Sequence, residues 1–517
     1  MRWWQQPGQS LNFPAPVQPT SIATVQTSPA VPTEPPRRRA WPARSLGFLP
    51  LLVALGAATV MYWPSLGSGF WNDDYIYLVA SRTIPLGRFV HESMVPNSTD
   101  PNLHFVQAFW RPLYFISFRG LHGLFGTHLL GYHLMVFAIH LATIAVIWAL
   151  SWRLTRSLAG AGVAAIVFAV FPLGYDSVAW VSSLNSAAFP LALGSWLVFT
   201  FAVDERPSGQ RIWLHAAALL LLTAALGFRE NTLSIVGAIG LWFVLCRTEP
   251  HALLGWRTWL PLVPYAVLSV VYLAFRTFAS TQWVTPDPVF SLGWMNVRET
   301  WYYIKLAPLP FLELGGGWPE TARKVASILF LLLIPLSLVL RRWLTAVLLA
   351  SFVLTVIPYS IVIGVTPRYM YFPAAFLALA AAALVADGRR LLEPRTSRSA
   401  NVLRRAGYAG LLIVIAAGGM WLGNRRVQAW VDVNPTAEQL WIQDLRQQFP
   451  VLPPGTTLWV AGTPIALTLF NAVSLKATVR LYYPGVTLVP FSVISGAAGP
   501  QPPPGAVVYI HKAPGSD

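Results

Sequence analysis

Long apolar runs separated by short polar connectors dominate this chain. Eleven stand out, near 46–66, 129–150, 158–174, 178–200, 212–228, 232–246, 258–275, 325–340, 343–363, 370–386 and 407–423. Most approach the ~20 residues an α-helix needs to cross a bilayer. In lipid a single segment must satisfy its own backbone donors and acceptors, which a helix does. The pattern predicts an all-α polytopic membrane protein of about eleven transmembrane helices. Two mixed stretches interrupt it. The piece 109–125 carries Arg111, Arg119 and His122 among aromatics and reads as a helix lying in the membrane interface; Trp301–Lys305 reads as another.

After Gly423 the apolar runs stop. A helical stretch from Ala437 to Gln448 leads to Pro453-Pro454-Gly455 and to short β-like pieces, Leu458-Trp459-Val460 and Ala506–Ile510. These predict a small C-terminal α/β appendage. Residues 1–43, rich in Pro, Gln, Ser and Thr, read as a disordered tail closed by Arg37-Arg38-Arg39 and Arg44. The organisation is therefore a tail (1–43), a membrane domain (44–423) and a small appendage (424–517).

Composition agrees. The chain is 55% hydrophobic and only 11% charged, where soluble domains carry about 25%. Of 36 basic residues only four are lysines, and the arginines gather in alternate connectors: Arg153/Arg156, Arg206/Arg211, Arg247/Arg257, Arg341/Arg342 and a dense set from Arg389 to Arg405. Cytoplasmic loops carry such an excess, which predicts a cytoplasmic N-terminus and an extracytoplasmic C-terminus. The net charge of +16 thus reads as membrane orientation and not as a nucleic-acid surface. Cys246 stands alone, so no internal disulfide is available. The triplet Asn97-Ser98-Thr99 matches a glycosylation acceptor.

The chemistry-bearing residues fall at the outer ends of the runs. Asp73 and Asp74, in Phe70-Trp71-Asn72-Asp73-Asp74, follow the first span. Asn and Asp favour helix starts; a carboxylate in a partly dry cavity also has a raised pKa and can accept a proton from an attacking hydroxyl. Either aspartate could be that base. Asp176 occupies the turn near 174–178 and is a candidate second carboxylate for an acceptor or a metal. Arg229-Glu230 opens another outer turn, where the two could pair with each other or line a polar cavity. Arg368, flanked by tyrosines at the start of a span, suits a phosphate through its forked donors and the positive helix end. His133 and His140 share one face of their span, His133 nearer the outer end. Neither has a third ligand at a telling spacing, so a zinc site is not predicted.

In this order the landmarks resemble the GT-C membrane glycosyltransferases, in particular the protein O-mannosyltransferase-like group. The matching pieces are Phe70–Asp74, Arg111-Pro112-Leu113 with Ser117-Phe118, Gly131-Tyr132-His133-Leu134 with His140, Phe171-Pro172 with Asp176–Ala179, Arg229-Glu230, and Arg368–Pro373. They span 45–386. The resemblance implies a polyprenyl-phosphate-linked sugar as donor, and a hydroxyl acceptor on protein, lipid or cell-envelope glycan. It implies hexosyl transfer with inversion on the extracytoplasmic side. Asp73 or Asp74 would be the base, and Arg368, helped by Arg229, would bind the donor phosphate. Asp176, Glu230 and His133 are acceptor or metal candidates; a divalent cation, Mg or Mn, is a conceivable cofactor with no ligand set readable from spacing. The rival reading is a polytopic transporter or lipid flippase without transfer activity.

Overall fold

The computed structural model describes residues 48–95, 110–204, 207–279, 293–308, 320–361, 366–392, 398–461, 472–490 and 502–510. The N-terminal tail, the Asn97-Ser98-Thr99 triplet and part of the arginine set near 395 lie outside the described residues.

The chain opens with α1 (Leu49–Tyr62), continued by a 3-10 turn to Gly67, then the short helices α2 (Asp73–Thr83), α3 (Leu86–Met94) and α4 (Pro112–Phe125). The long α5 (Leu129–Thr155) is followed by α6 (Leu158–Ala169), the single turn α7 (Asp176–Ala179), and α8 (Ala188–Ala202). Next come α9 (Ser208–Phe228), α10 (Ser234–Trp242), α11 (Trp256–Trp259), α12 (Val263–Ala279) and α13 (Trp294–Leu306). The membrane part ends with α14 (Glu320–Val339), α15 (Trp343–Val356), α16 (Tyr371–Leu392) and α17 (Arg398–Val433). The C-terminal region holds α18 (Pro435–Gln448), β1 (Thr457–Ala461), α19 (Ala472–Tyr482), β2 (Thr487–Pro490) and β3 (Val507–Ile510).

Among the described residues, eight helical stretches are long and apolar enough to cross a membrane, which makes this a multi-pass membrane protein. They correspond to eight of the eleven apolar runs. The other three fold as shorter helices at α6, α10 and α12. The 12 residues of α6 rise about 18 Å, against a hydrocarbon core of about 30 Å. Nine of them are buried, among them Gly160, Ala161, Gly162, Ala164 and Ala165. Small residues let α1, α5 and α16 close on this helix, so α6 is a packed element of the bundle interior.

The 109–125 stretch folds as predicted into a helix, α4, and Trp301–Lys305 lies within α13. The α/β appendage is present as a three-stranded parallel sheet of order β2-β1-β3. Its β1 register pairs Leu458 with Leu488 on one side and with Val507 on the other. Two apolar cores result. One fills the bundle, around Trp196, Phe199, Phe352 and Phe376. The second joins α2, α4 and the start of α5 to the C-terminal sheet, with Phe70, Tyr75, Phe118 and Tyr132 in the same cluster as Trp441, Leu458 and Tyr509. The C-terminal region is thus packed onto the segment that carries Asp73 and Asp74.

Candidate active site

Three chain segments meet just beyond the bundle. The first is the loop before α2. Trp71 stacks edgewise on Trp180 (centroids 4.9 Å) and on Trp430 of α17 (5.3 Å), and the Trp180 indole N–H donates to the Trp71 carbonyl at 3.1 Å. The second is the turn after α6. Gly174 has φ +81°, and a Cβ there would stand 3.0 Å from the backbone N and Cα of Tyr371. Only glycine combines that conformation with that approach, and it seats Asp176 beside the start of α16. The third is the entry to α16. The Arg368 carbonyl accepts from the Ser177 hydroxyl at 3.1 Å, and the Arg368 guanidinium lies over the Trp180 ring at 5.1 Å.

Asp73 and Asp74 have different surroundings. Asp74 is fully buried. Its Oδ2 accepts the Trp71 N–H at 2.9 Å, and its Oδ1 accepts the Ser182 hydroxyl. Burial holds its carboxyl well above the ordinary range; those two hydrogen bonds oppose the rise, and the charges of Asp73 and Glu438 add to it. Asp73 is only partly buried, and its carboxylate accepts no hydrogen bond from any described residue. Burial pushes Asp73 up to about 6, while Arg368 first and Arg111 next pull it down. Asp176 behaves alike: burial raises it to about 6 against Arg368, its own and the Ser177 backbone N–H, and Arg229. One Asp176 oxygen, Oδ1, is buried without a hydrogen-bond partner. Arg368 therefore sits within electrostatic reach of both carboxylates, with no ion pair within 4 Å among the described residues.

The remaining predicted site residues are placed less centrally. Arg229 does not pair with Glu230. It is 6% exposed, wedged among Phe189, Tyr359 and Tyr369 at 5.4–5.8 Å, and donates to the Asn185 side-chain oxygen at 3.1 Å. Glu230 instead accepts a forked pair of hydrogen bonds from Arg111, at 2.8 and 2.7 Å, the geometry for which a guanidinium is pre-shaped. That pair ties α4 to the end of α9. His133 is buried, its Nε2 against the Ser68 carbonyl (3.0 Å) and hydroxyl (3.2 Å); it anchors α5 to the loop after the first span. His140 Nδ1 bonds the Tyr371 hydroxyl at 2.7 Å.

The structure adds residues from the C-terminal region. Asn72, the residue before α2, has φ 49° and ψ −112°, a conformation costing about 1–3 kcal/mol in a non-glycine residue. It is held from two helices. Its N–H donates to Glu438 Oε2 of α18 at 2.9 Å, and its side-chain oxygen accepts from Ser474 of α19. Glu438 is fully buried, and its second oxygen accepts from Thr478 at 3.2 Å. On the far side of α2, Arg82 donates to the Leu481 carbonyl at 3.1 Å. No local spacing links positions 72 and 438, so the clamp left no mark in the sequence pattern.

No family model matches this chain, and no curated protein does. Among solved structures it is similar to ArnT from Cupriavidus metallidurans. The apo form aligns at 14% identity over 86% of each chain with a TM-score of 0.49. The form bound to undecaprenyl phosphate aligns at 15% identity over 85% of each chain, again with a TM-score of 0.49. These are distant likenesses, and the functional reading rests on the residues of this chain.

Proposed function

We propose that the chain is an integral membrane glycosyltransferase of the GT-C type. It moves a sugar from a polyprenyl-phosphate donor to a hydroxyl acceptor on the side of the membrane that holds Asp73. The observation that carries this reading is the placement of Arg368 at the end of a span. Asp73 and Asp176 both lie within its electrostatic reach, and it has no ion pair among the described residues. Its guanidinium bonds the Tyr369 side chain and lies over Trp180, and its other N–H donors suit a phosphate whose lipid tail lies along the helices. A partly exposed carboxylate raised to about 6 is ionised at neutral pH and more basic than an ordinary aspartate.

In this mechanism the acceptor oxygen attacks the anomeric carbon as its proton passes to Asp73. The bond between that carbon and the phosphate oxygen breaks, and its electron pair leaves with the phosphate. Attack opposite the leaving group inverts the anomeric centre. Arg368 stabilises the charge growing on the departing phosphate. Asp74, whose oxygens are occupied by Trp71 and Ser182, fixes the loop, so Asp73 takes the role of base. Asp176 is assigned to the acceptor. Arg229, enclosed by aromatic rings, adds positive field and does not touch the phosphate. Glu230 and His133 hold the scaffold. The donor set does not suit a divalent cation: the positive charge of Arg368 acts on both carboxylates, and no group of three potential metal-binding side chains occurs among the described residues. No step is routed through one. By the positive-inside rule the Arg153/Arg342 end is cytoplasmic, which puts the site outside.

The test uses purified protein in proteoliposomes loaded with a labelled polyprenyl-phosphate sugar and a hydroxyl acceptor. Label appearing on the acceptor, with polyprenyl phosphate released, is the expected result. Labelled donor that crosses the bilayer uncleaved would instead establish the flippase reading.

A further inference from the structure

A second polar site lies at the other end of the same helices. A cavity of about 390 Å³ opens among the last turn of α5, the ends of α8 and α16, the turn after α10 and the start of α15. Asp73 and Arg368 sit near the N-terminal ends of α5 and α16. The cavity meets α16 at Asp387 and α5 at Arg153, roughly 30 Å of helix away at 1.5 Å per residue.

Five guanidinium groups line it: Arg153, Arg156, Arg247, Arg341 and Arg342. Among the described residues, two carboxylates answer them. Asp204 pairs with Arg153 and, at 3.1 Å, with Arg247; Asp387 pairs with Arg342 at 3.4 Å. Arg156 and Arg341 have no ion pair among the described residues. Both also hold a left-handed backbone, φ 56° in each case. That conformation at a helix end normally selects glycine and costs other residues roughly 1–2 kcal/mol. Apart from Thr155 and Thr200 the remaining wall is apolar, with Trp242, Leu245 and Trp343. The volume falls within the about 300–1,000 Å³ usual for ligand sites. A surplus of positive charge beside an apolar wall, at the level where spans end, matches an anion carried on a hydrocarbon tail. Basic pockets between transmembrane helices take lipid head groups on this principle.

We propose that this cavity binds the phosphate head group of an anionic phospholipid from the leaflet opposite Asp73, with Arg156 and Arg341 supplying the free donors. This is independent of the transferase reading. The test is native mass spectrometry of the full chain during stepwise delipidation, with phosphatidylglycerol, with phosphatidylcholine, and with inorganic phosphate alone. The wild type is expected to retain one phosphatidylglycerol. Arg156→Gln combined with Arg341→Gln should weaken retention at least about tenfold, while Arg257→Gln, at an arginine that does not line the cavity, should leave it unchanged. Equal retention by the double variant, equal retention of phosphatidylcholine, or full competition by millimolar phosphate would overturn the proposal. If the double variant does not insert, photocrosslinking of a phosphatidylglycerol analogue to the wild type decides. Label on 153–156 and 341–344 supports the site; label elsewhere refutes it.

Discussion

The two polar ends of α5 and α16 use the same residue types in opposite ways. At the arginine-rich end, carboxylates are spent on ion pairs: Asp204 serves Arg153 and Arg247, and Asp387 serves Arg342. At the other end, Asp73 and Asp176 both lie in the field of Arg368, with no ion pair within 4 Å among the described residues. Burying a charge costs several kcal/mol, and a partner at hydrogen-bond distance returns part of that cost. Separated charges keep raised pKa values and vacant hydrogen-bonding positions, which is the condition a reacting group needs. The lesson is to look for charges that a membrane protein has left unsatisfied, and not simply for charges. Arg111 and Glu230 make the point within the outer site: their forked pair is scaffold, although both stand among the landmark residues.

The largest expected effects come from removing Asp73 and Arg368, which have no ion pair among the described residues. Asp73→Asn and Arg368→Gln should each lower the rate of transfer by about 10²–10³. Because they act on one transition state, the double variant should lose less than the product of the two. Strict multiplication of the losses would mean separate sites. Next in size is the clamp on Asn72. Glu438→Ala should cut kcat about tenfold with KM for the donor little changed, and Glu438→Gln should recover part of the loss. Equal defects in kcat and folded yield would reduce Glu438 to a stability residue.

A pH profile sharpens the same contrast. With Asp73 at about 6, kcat/KM should fall tenfold per unit below about pH 6 and level off above it. The sign for stability is opposite. The folded carboxyl holds its proton from the ordinary 3.8 up to about 6, so the folded state binds more protons in that window and loses stability as pH rises through it. Asp73→Asn should therefore raise Tm at pH 7, and the gain should vanish below about pH 4. The smallest effect belongs to the Arg342–Asp387 pair: Arg342→Ala, breaking a partly exposed ion pair, should cost only about 1 kcal/mol or less in unfolding.

Much of this was legible before any coordinates. Apolar runs locate the spans because lipid imposes a length and a helical backbone on each, and Asp73, Asp74, Asp176 and Arg368 announce themselves by being charged at span ends. Four things were not. The shortness of α6 depends on its neighbours closing over small residues, which hydropathy does not record. The partner of Glu230 is Arg111, 119 residues away, where adjacency suggested Arg229. Glu438 lies in an amphipathic helix of ordinary composition, and only the fold brings it to Asn72. The different surroundings of Asp73 and Asp74 likewise needed the positions of Trp71 and Ser182.

The most direct test of the account is single-turnover cleavage of a labelled polyprenyl-phosphate sugar by wild type and Asp73→Asn, with donor affinity measured on the same preparations. The account predicts unchanged donor binding within a few-fold and a chemical step slowed at least about a hundredfold. A variant that cleaves the donor at the wild-type rate would contradict it.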